Sequence, residues 1–242
     1  LYVHTSNYKV IGFTNEVAVN DLSDLCREHS IPLLFDLGSG AIYNNDNNFI
    51  PFEKEVQNYL NEGVDVVTYS GDKLLGGIQT GIISGKEDFV NRIHSSPMYR
   101  TLRCDKYRIA LMESILRTYI TTKKVSSENL SIMLFDRSSE VLYKYASKIV
   151  ASIKNSIPRH YDINIEDTKV EAGSGSLPTE KIPSVAIVFS SIKNSSNNIS
   201  SRLRSGYLPI LNYIKDDRVF VDLKAVPDDQ INDLINAVKE CL

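Results

Sequence analysis

The run Val67-Thr68-Tyr69-Ser70-Gly71-Asp72-Lys73-Leu74-Leu75-Gly76-Gly77 places a lysine after a β-branched stretch and before a Gly-Gly turn, as Schiff-base lysines are commonly presented. Upstream, Ile31-Pro32-Leu33-Leu34-Phe35-Asp36-Leu37-Gly38-Ser39-Gly40 is an apolar run that brings a carboxylate to its C-terminal end. An amine that captures an aldehyde and a carboxylate that keeps a pyridine nitrogen protonated are what pyridoxal 5'-phosphate (PLP) chemistry requires. In open α/β sheets ligands collect beyond the carboxyl ends of strands, and the pattern puts Asp36 and Lys73 at or just beyond two such ends. Ser70, three residues before Lys73, suits a phosphate ligand. Taken singly, Asp36 reads equally as a cap after a buried strand, and Lys73 as a solvated surface lysine. Spacing alone leaves the cofactor site and these plainer readings side by side.

The elements that must position these groups alternate between strand and helix, the pattern of a mostly parallel sheet. Strands are expected at residues 1–5, 31–35 and 64–69, the second a continuous apolar run covered on both faces. A helix capped by Asn20 runs to about Glu28 with Leu22, Leu25 and Cys26 on one face, and another covers 53–62, ended by Gly63. Residues 81–84 form a further strand. A long amphipathic helix is expected over 106–121, burying Ile109, Met112, Ile115, Leu116 and Tyr119. A helical segment over 130–153 then leads to strands near Ile163, at 185–189, 208–211 and 219–222, and to a closing helix over 228–240. Residues 194–198 read as a polar loop.

With 242 residues, 42% of them hydrophobic, the chain can bury a sizeable core. No apolar run approaches the about 18 residues of a membrane span, and a cytoplasmic location is expected. Cys26, Cys104 and Cys241 are too few and too scattered for a disulfide framework or a zinc motif, and no metal site is expected. The net charge of −3 argues against indiscriminate nucleic-acid binding. Even so, residues 86–124 carry nine Lys or Arg against four acidic residues, a patch that suits phosphates or simply a solvated helical face.

Five segments resemble the bacterial selenocysteine synthases, the L-seryl-tRNA(Sec) selenium transferases, which are PLP enzymes of the aspartate-aminotransferase fold type. They are Val3-His4-Thr5-Ser6-Asn7-Tyr8 with Ile11-Gly12-Phe13-Thr14; Asp36 to Gly40; Ser70 to Gly77; Arg100-Thr101-Leu102-Arg103-Cys104-Asp105-Lys106; and Gly173-Ser174-Gly175-Ser176-Leu177-Pro178. The second and third are shared with many relatives, whereas the arginine pair and the Gly-Ser-Leu-Pro segment are more specific. The resemblance implies an α/β fold: residues 1–125 as the C-terminal portion of a fold-type-I PLP-binding large domain with a mostly parallel sheet, 126–155 as a bridging helix, and 156–242 as a small α+β C-terminal domain. It further implies that the chain is the C-terminal half of a longer protein, inactive alone, and that full-length members form homo-oligomers built from dimers.

The implied reaction converts L-seryl-tRNA(Sec) to L-selenocysteinyl-tRNA(Sec), with selenophosphate as donor, through a Schiff base on Lys73 and an aminoacrylate. Lys73 and Asp36 are the implied catalytic residues, and Ser70, Asp72, Ser6 and Asn7 further cofactor contacts, with His4 nearby. Arg100 and Arg103 correspond to the donor-binding arginines, and at a spacing of three would share one face of a helical turn. Cys104 departs from the small aliphatic residue expected there, and the asparagine-rich stretch after Tyr43 lengthens a surface loop. Two alternatives remain. Another fold-type-I PLP enzyme, such as a cysteine desulfurase or a β-lyase, would share Asp36 and Lys73 without needing both arginines. A non-catalytic remnant would only fold and oligomerise.

Overall fold

The computed structural model describes residues 1–5, 10, 12–42, 54–122, 124–173 and 181–242. These form two units, one of residues 1–133 with 171–180, the other of 134–170 with 181–242.

The first unit is built on strands β1 (Tyr2–Val3), β2 (Leu34–Gly38), β3 (Val66–Ser70) and β4 (Gly81–Gly85), hydrogen-bonded in that order. The first three run parallel and β4 antiparallel, so the expected mixed, mostly parallel sheet is what the chain forms. Helices α1 (Val19–Glu28) and α2 (Val56–Asn61) make the crossovers, as parallel neighbours require. β2 alternates: Phe35 and Leu37 enter a core with Val56, Tyr59, Val67 and Tyr69, while Leu34, Asp36 and Gly38 on the other face are only partly covered. Continuous burial on both faces is therefore not observed. The strand also starts and ends later than its apolar run. Pro32 has no N–H to give a ladder, Ile31 is 59% exposed, and Leu33 N instead donates to Asp65 Oδ2 at 2.7 Å. Pairing continues through Asp36, which thus lies inside the strand rather than beyond its end.

Helix α1 starts from Ala18, with no side-chain cap, so Asn20 sits in its first turn. Leu22 and Cys26 pack on the core but Leu25 is 52% exposed. The buried position is taken by Ser23, whose hydroxyl oxygen would lie 2.1 Å from any Cβ placed on Gly63. Gly63, at φ 95°, ends the α2 turn as its sequence suggests.

After β4 come α3 (Glu87–His94), α4 (Pro97–Leu102) and α5 (Lys106–Thr121). Asp105 caps α5, accepting from the Tyr107 and Arg108 N–H groups. Of the five residues expected in its buried stripe only Met112 is buried; Ile115, Leu116 and Tyr119 are half-buried and Ile109 is 54% exposed. Ile109, Met112 and Leu116 of this stripe line an open groove of about 930 Å³ between α4, α5 and β4.

A single 3₁₀ turn (Val125–Ser127) leads to α6 (Leu130–Asp136) and α7 (Ser139–Ile153). The single helix expected over 130–153 is broken where Ser138 turns extended, at ψ 159°. In the second unit the buried Lys224 amine donates to the carbonyls of Phe135 and Arg137, taking the place of helical partners those groups lack at the break. β5 (Tyr161–Val170), β6 (Ile182–Ser191), α8 (Ser196–Ser205), β7 (Tyr213–Lys215), β8 (Arg218–Asp222) and α9 (Ile231–Cys241) complete the chain, with an antiparallel sheet in the order β5-β6-β8-β7. One face packs Val185, Ile187, Phe189, Val219 and Val221 against α7, α8 and α9. Residues 194–198, expected as a loop, open α8, because the Ser195 hydroxyl accepts from Asn198 N. Residues 208–211 form no strand; the Asn212 side chain takes up the carbonyls of Ile210 and Ser200 instead. Among the described residues no helix is long and apolar enough to cross a membrane.

Candidate active site

Two adjacent parallel strands set the site. Asp36 on β2 pairs with Thr68 on β3, and the Thr68 hydroxyl donates to Asp36 Oδ1 at 3.0 Å. A hydrogen bond to an ionised carboxylate is stronger than a neutral one, so Thr68 holds Asp36 in one orientation. Among the described residues Asp36 Oδ2 takes no hydrogen bond. Ser70, two residues after Thr68, projects on the same face of the sheet. On the other side, His4 N donates to the Asp36 carbonyl at 2.8 Å, which places His4 beside the carboxylate residue. Ser6 and Asn7 lie outside the described residues.

β3 runs directly into the lysine turn. The turn closes on itself: Gly71 N donates to Thr80 O, Gly77 N to Gly71 O and Gly76 N to Lys73 O, at 2.8 to 2.9 Å. Gly76 sits at φ 68°, a conformation that L side chains avoid, and a Cβ on Gly71 would meet Thr80 Oγ1 at 2.3 Å and Met112 Cε at 2.4 Å. Leu74 and Leu75 are buried and anchor the turn, leaving Lys73 half-buried. Among the described residues the Lys73 amine has no hydrogen bond or ion pair, and the buried Asp72 Oδ1 has no hydrogen-bond partner. An unengaged amine, a carboxylate with one oxygen to spare, a hydroxyl on the same face and an orphaned buried acceptor fit a bound group bearing an aldehyde, a ring N–H and polar substituents.

Arg100 belongs to α4, whose first turn is capped by Ser96 accepting from Met98 N. Arg103 is its C-cap, where the backbone leaves the helix at ψ 144°. Arg103 lines the groove beside α5 together with Cys104, Arg108 and Met112; Arg100 is not among the lining residues. Both guanidinium groups are exposed and unpaired among the described residues, and no hydrogen bond or ion pair links them to the Asp36 and Lys73 group. By contrast, Lys86, Arg108 and Arg117 in the same basic stretch are paired with Asp65, Asp105 and Glu113.

The sequence reading does not single out Thr68. Its alternation with Ser70 was a usable signal, but its pairing with Asp36 depends on strand register, which the residue types do not carry.

The family model described as L-seryl-tRNA selenium transferase matches residues 1–227. The chain is similar to the L-seryl-tRNA(Sec) selenium transferase of Haemophilus influenzae strain KW20, 34% identical over 239 residues, covering 98% of this chain and 51% of that protein. It is also similar to that of Mannheimia succiniciproducens, 38% identical over 226 residues, covering 93% and 48%. The enzyme of Alkaliphilus oremlandii is 34% identical over 242 residues, covering 100% and 52%. The chain thus spans about half the length of the curated relatives it matches. Among solved structures it is similar to a D-glucosaminate-6-phosphate ammonia-lyase, with a TM-score of 0.61 and 14% identity, covering 99% of this chain and 56% of that one. That likeness concerns the fold alone.

Proposed function

Since this chain belongs to the L-seryl-tRNA selenium transferase family, we propose that the protein carrying it converts L-seryl-tRNA(Sec) to L-selenocysteinyl-tRNA(Sec), using PLP as cofactor and selenophosphate as donor. The observation that carries the reading is local: Asp36, oriented by Thr68, lies on the strand next to the one that delivers Lys73. PLP, when bound, supplies an electron sink for the seryl α-carbon. Lys73 would hold the cofactor through its amine, and the same amine would serve as the base that takes the proton from that carbon. Asp36 would keep the cofactor ring nitrogen protonated, a role open to it because its Oδ2 takes no hydrogen bond among the described residues. Ser70 binds the phosphate, Asp72 supports the lysine's surroundings, and Ser6 and Asn7 contact the ring. Arg100 and Arg103 hold the anionic selenium donor, for which two guanidinium forks are better suited than ammonium groups.

In this reading residues 1–125 are the C-terminal portion of the PLP-binding domain, 126–155 a bridge and 156–242 a small C-terminal domain. The protein works in the cytoplasm as a homo-oligomer built from dimers, and residues 1–242 by themselves are inactive. The test is single-turnover selenium transfer by full-length protein supplied with PLP, selenophosphate and either seryl-tRNA(Sec) or free serine. Selenocysteinyl-tRNA is the expected product, lost in the Arg100→Ala, Arg103→Ala double variant while PLP binding persists. Transfer that survives loss of both arginines, or product formed only from the free amino acid, would contradict the reading.

A further inference from the structure

The carbonyl of Leu75, two residues after Lys73, accepts two side-chain hydrogen bonds from distant parts of the first unit. One comes from the Tyr119 hydroxyl on α5 at 2.7 Å, the other from Asn129 Nδ2 at 3.2 Å. Asn129 is only 6% exposed and uses both ends of its amide: Nδ2 holds the Leu75 carbonyl, and Oδ1 accepts from Ile132 N in the first turn of α6. The same amide lies against Gly76, where a Cβ would meet Asn129 Oδ1 at 2.5 Å. Leu75 is fully buried, so its carbonyl depends on these donors for satisfaction.

A backbone turn closed by three short internal bonds still has its Leu74-Leu75 arm free to rotate its peptide planes unless a carbonyl is tied from outside. Tyr119 and Asn129 tie that carbonyl from two directions. We propose that Tyr119 and Asn129 are positioning residues for Lys73: by pinning the Leu75 carbonyl they fix the peptide orientation of the turn and hence where the lysine amine is presented. The proposal rests on Lys73 being the lysine that captures PLP. Neither residue belongs to the motifs that suggested the site. Tyr119 reads from sequence as part of a buried helical stripe, and Asn129 carries no signal at all.

Two variants separate positioning from folding. Tyr119→Phe removes one hydroxyl and keeps the ring. Asn129→Asp keeps an oxygen to cap the first turn of α6 but replaces the donor to Leu75 with an acceptor. In full-length protein at saturating PLP, the rate of borohydride-trapped pyridoxyl label on Lys73 is read by peptide mapping, beside hydrogen exchange at the Gly76 and Gly77 amides and the melting temperature. Tyr119→Phe is expected to label Lys73 about 3- to 10-fold more slowly, the effect of losing one hydrogen bond, and Asn129→Asp at least as slowly because it sets two acceptors against each other, both with faster exchange at the two glycines. The melting temperature of Tyr119→Phe should stay near that of the unaltered protein. Wild-type labelling rates and unchanged exchange in both variants would overturn the proposal. Absence of label on Lys73 in the unaltered protein would instead remove the reading of Lys73 on which it rests. If Asn129→Asp fails to fold, Tyr119→Phe decides alone.

Discussion

Thr68 Oγ1 to Asp36 Oδ1 is the contact on which the residue-scale account turns, because it fixes the orientation of the carboxylate. Thr68→Val removes the donor while keeping the β-branched shape. It should lower selenium transfer by roughly 10-fold, the low end for a hydrogen bond to a charged group, with PLP still bound. Asp36→Asn removes the charge itself. It should cost on the order of 10² to 10³ in turnover, as when a preorganised electrostatic partner is lost, and should shift the visible spectrum of the bound cofactor. Comparable rates for Asp36→Asn and Thr68→Val, measured in single-turnover assays, would show that the charge is not what matters. Residue types alone drew attention to Asp36, Ser70 and Lys73 but did not separate a cofactor site from a strand cap and a solvated lysine. Thr68, Tyr119 and Asn129 were not legible, since their importance arises from register and from contacts across 32 to 54 residues of sequence.

At the scale of elements, the lysine turn and the α6–α7 junction are each held by specific contacts. Gly76→Ala places a Cβ on Asn129 at a positive φ and should destabilise the first unit by about 1–3 kcal/mol, seen as a lower denaturation midpoint. The junction depends on Lys224, 5% exposed, whose pKa is lowered to about 8 by burial first and then by the nearby Arg137 charge. A lysine with a folded pKa below its unfolded value binds fewer protons when folded between the two. Its contribution to stability therefore rises with pH from about 8 toward 10.5. Cys241 and several tyrosines, raised chiefly by burial, act in the opposite sense above their own ordinary values, so the window to examine is pH 8 to 9. Urea midpoints should climb across that window, and the climb should vanish in Lys224→Met, which is also less stable because two carbonyls lose their donor. An identical slope in both proteins would count against the assignment. The sequence reading went astray at this scale for local reasons. Lys224 capping broke an apparently continuous helix, Ser195 nucleated α8 inside a polar run, and Pro32 delayed β2.

For the whole molecule, alternating strand and helix runs predicted the mostly parallel sheet and a fourth strand, because strand and helix periods are properties of the sequence itself, whereas the antiparallel direction of that strand is not carried by its period. Burial along α5 was not predictable in the same way: Ile109, Met112 and Leu116 of its apolar stripe line an open groove, and what a helix packs against is not written in its own period. The chain spans about half of its curated relatives, so the full-length protein is the object on which the central claim must be tested. That claim is that Lys73 carries the cofactor. The most direct measurement is a visible spectrum of full-length protein with PLP, followed by borohydride reduction and peptide mapping. The account predicts an absorbance band that reduction abolishes and a single pyridoxyl label on Lys73, absent in Lys73→Ala. A label on another lysine, or an unchanged band in Lys73→Ala, would contradict it.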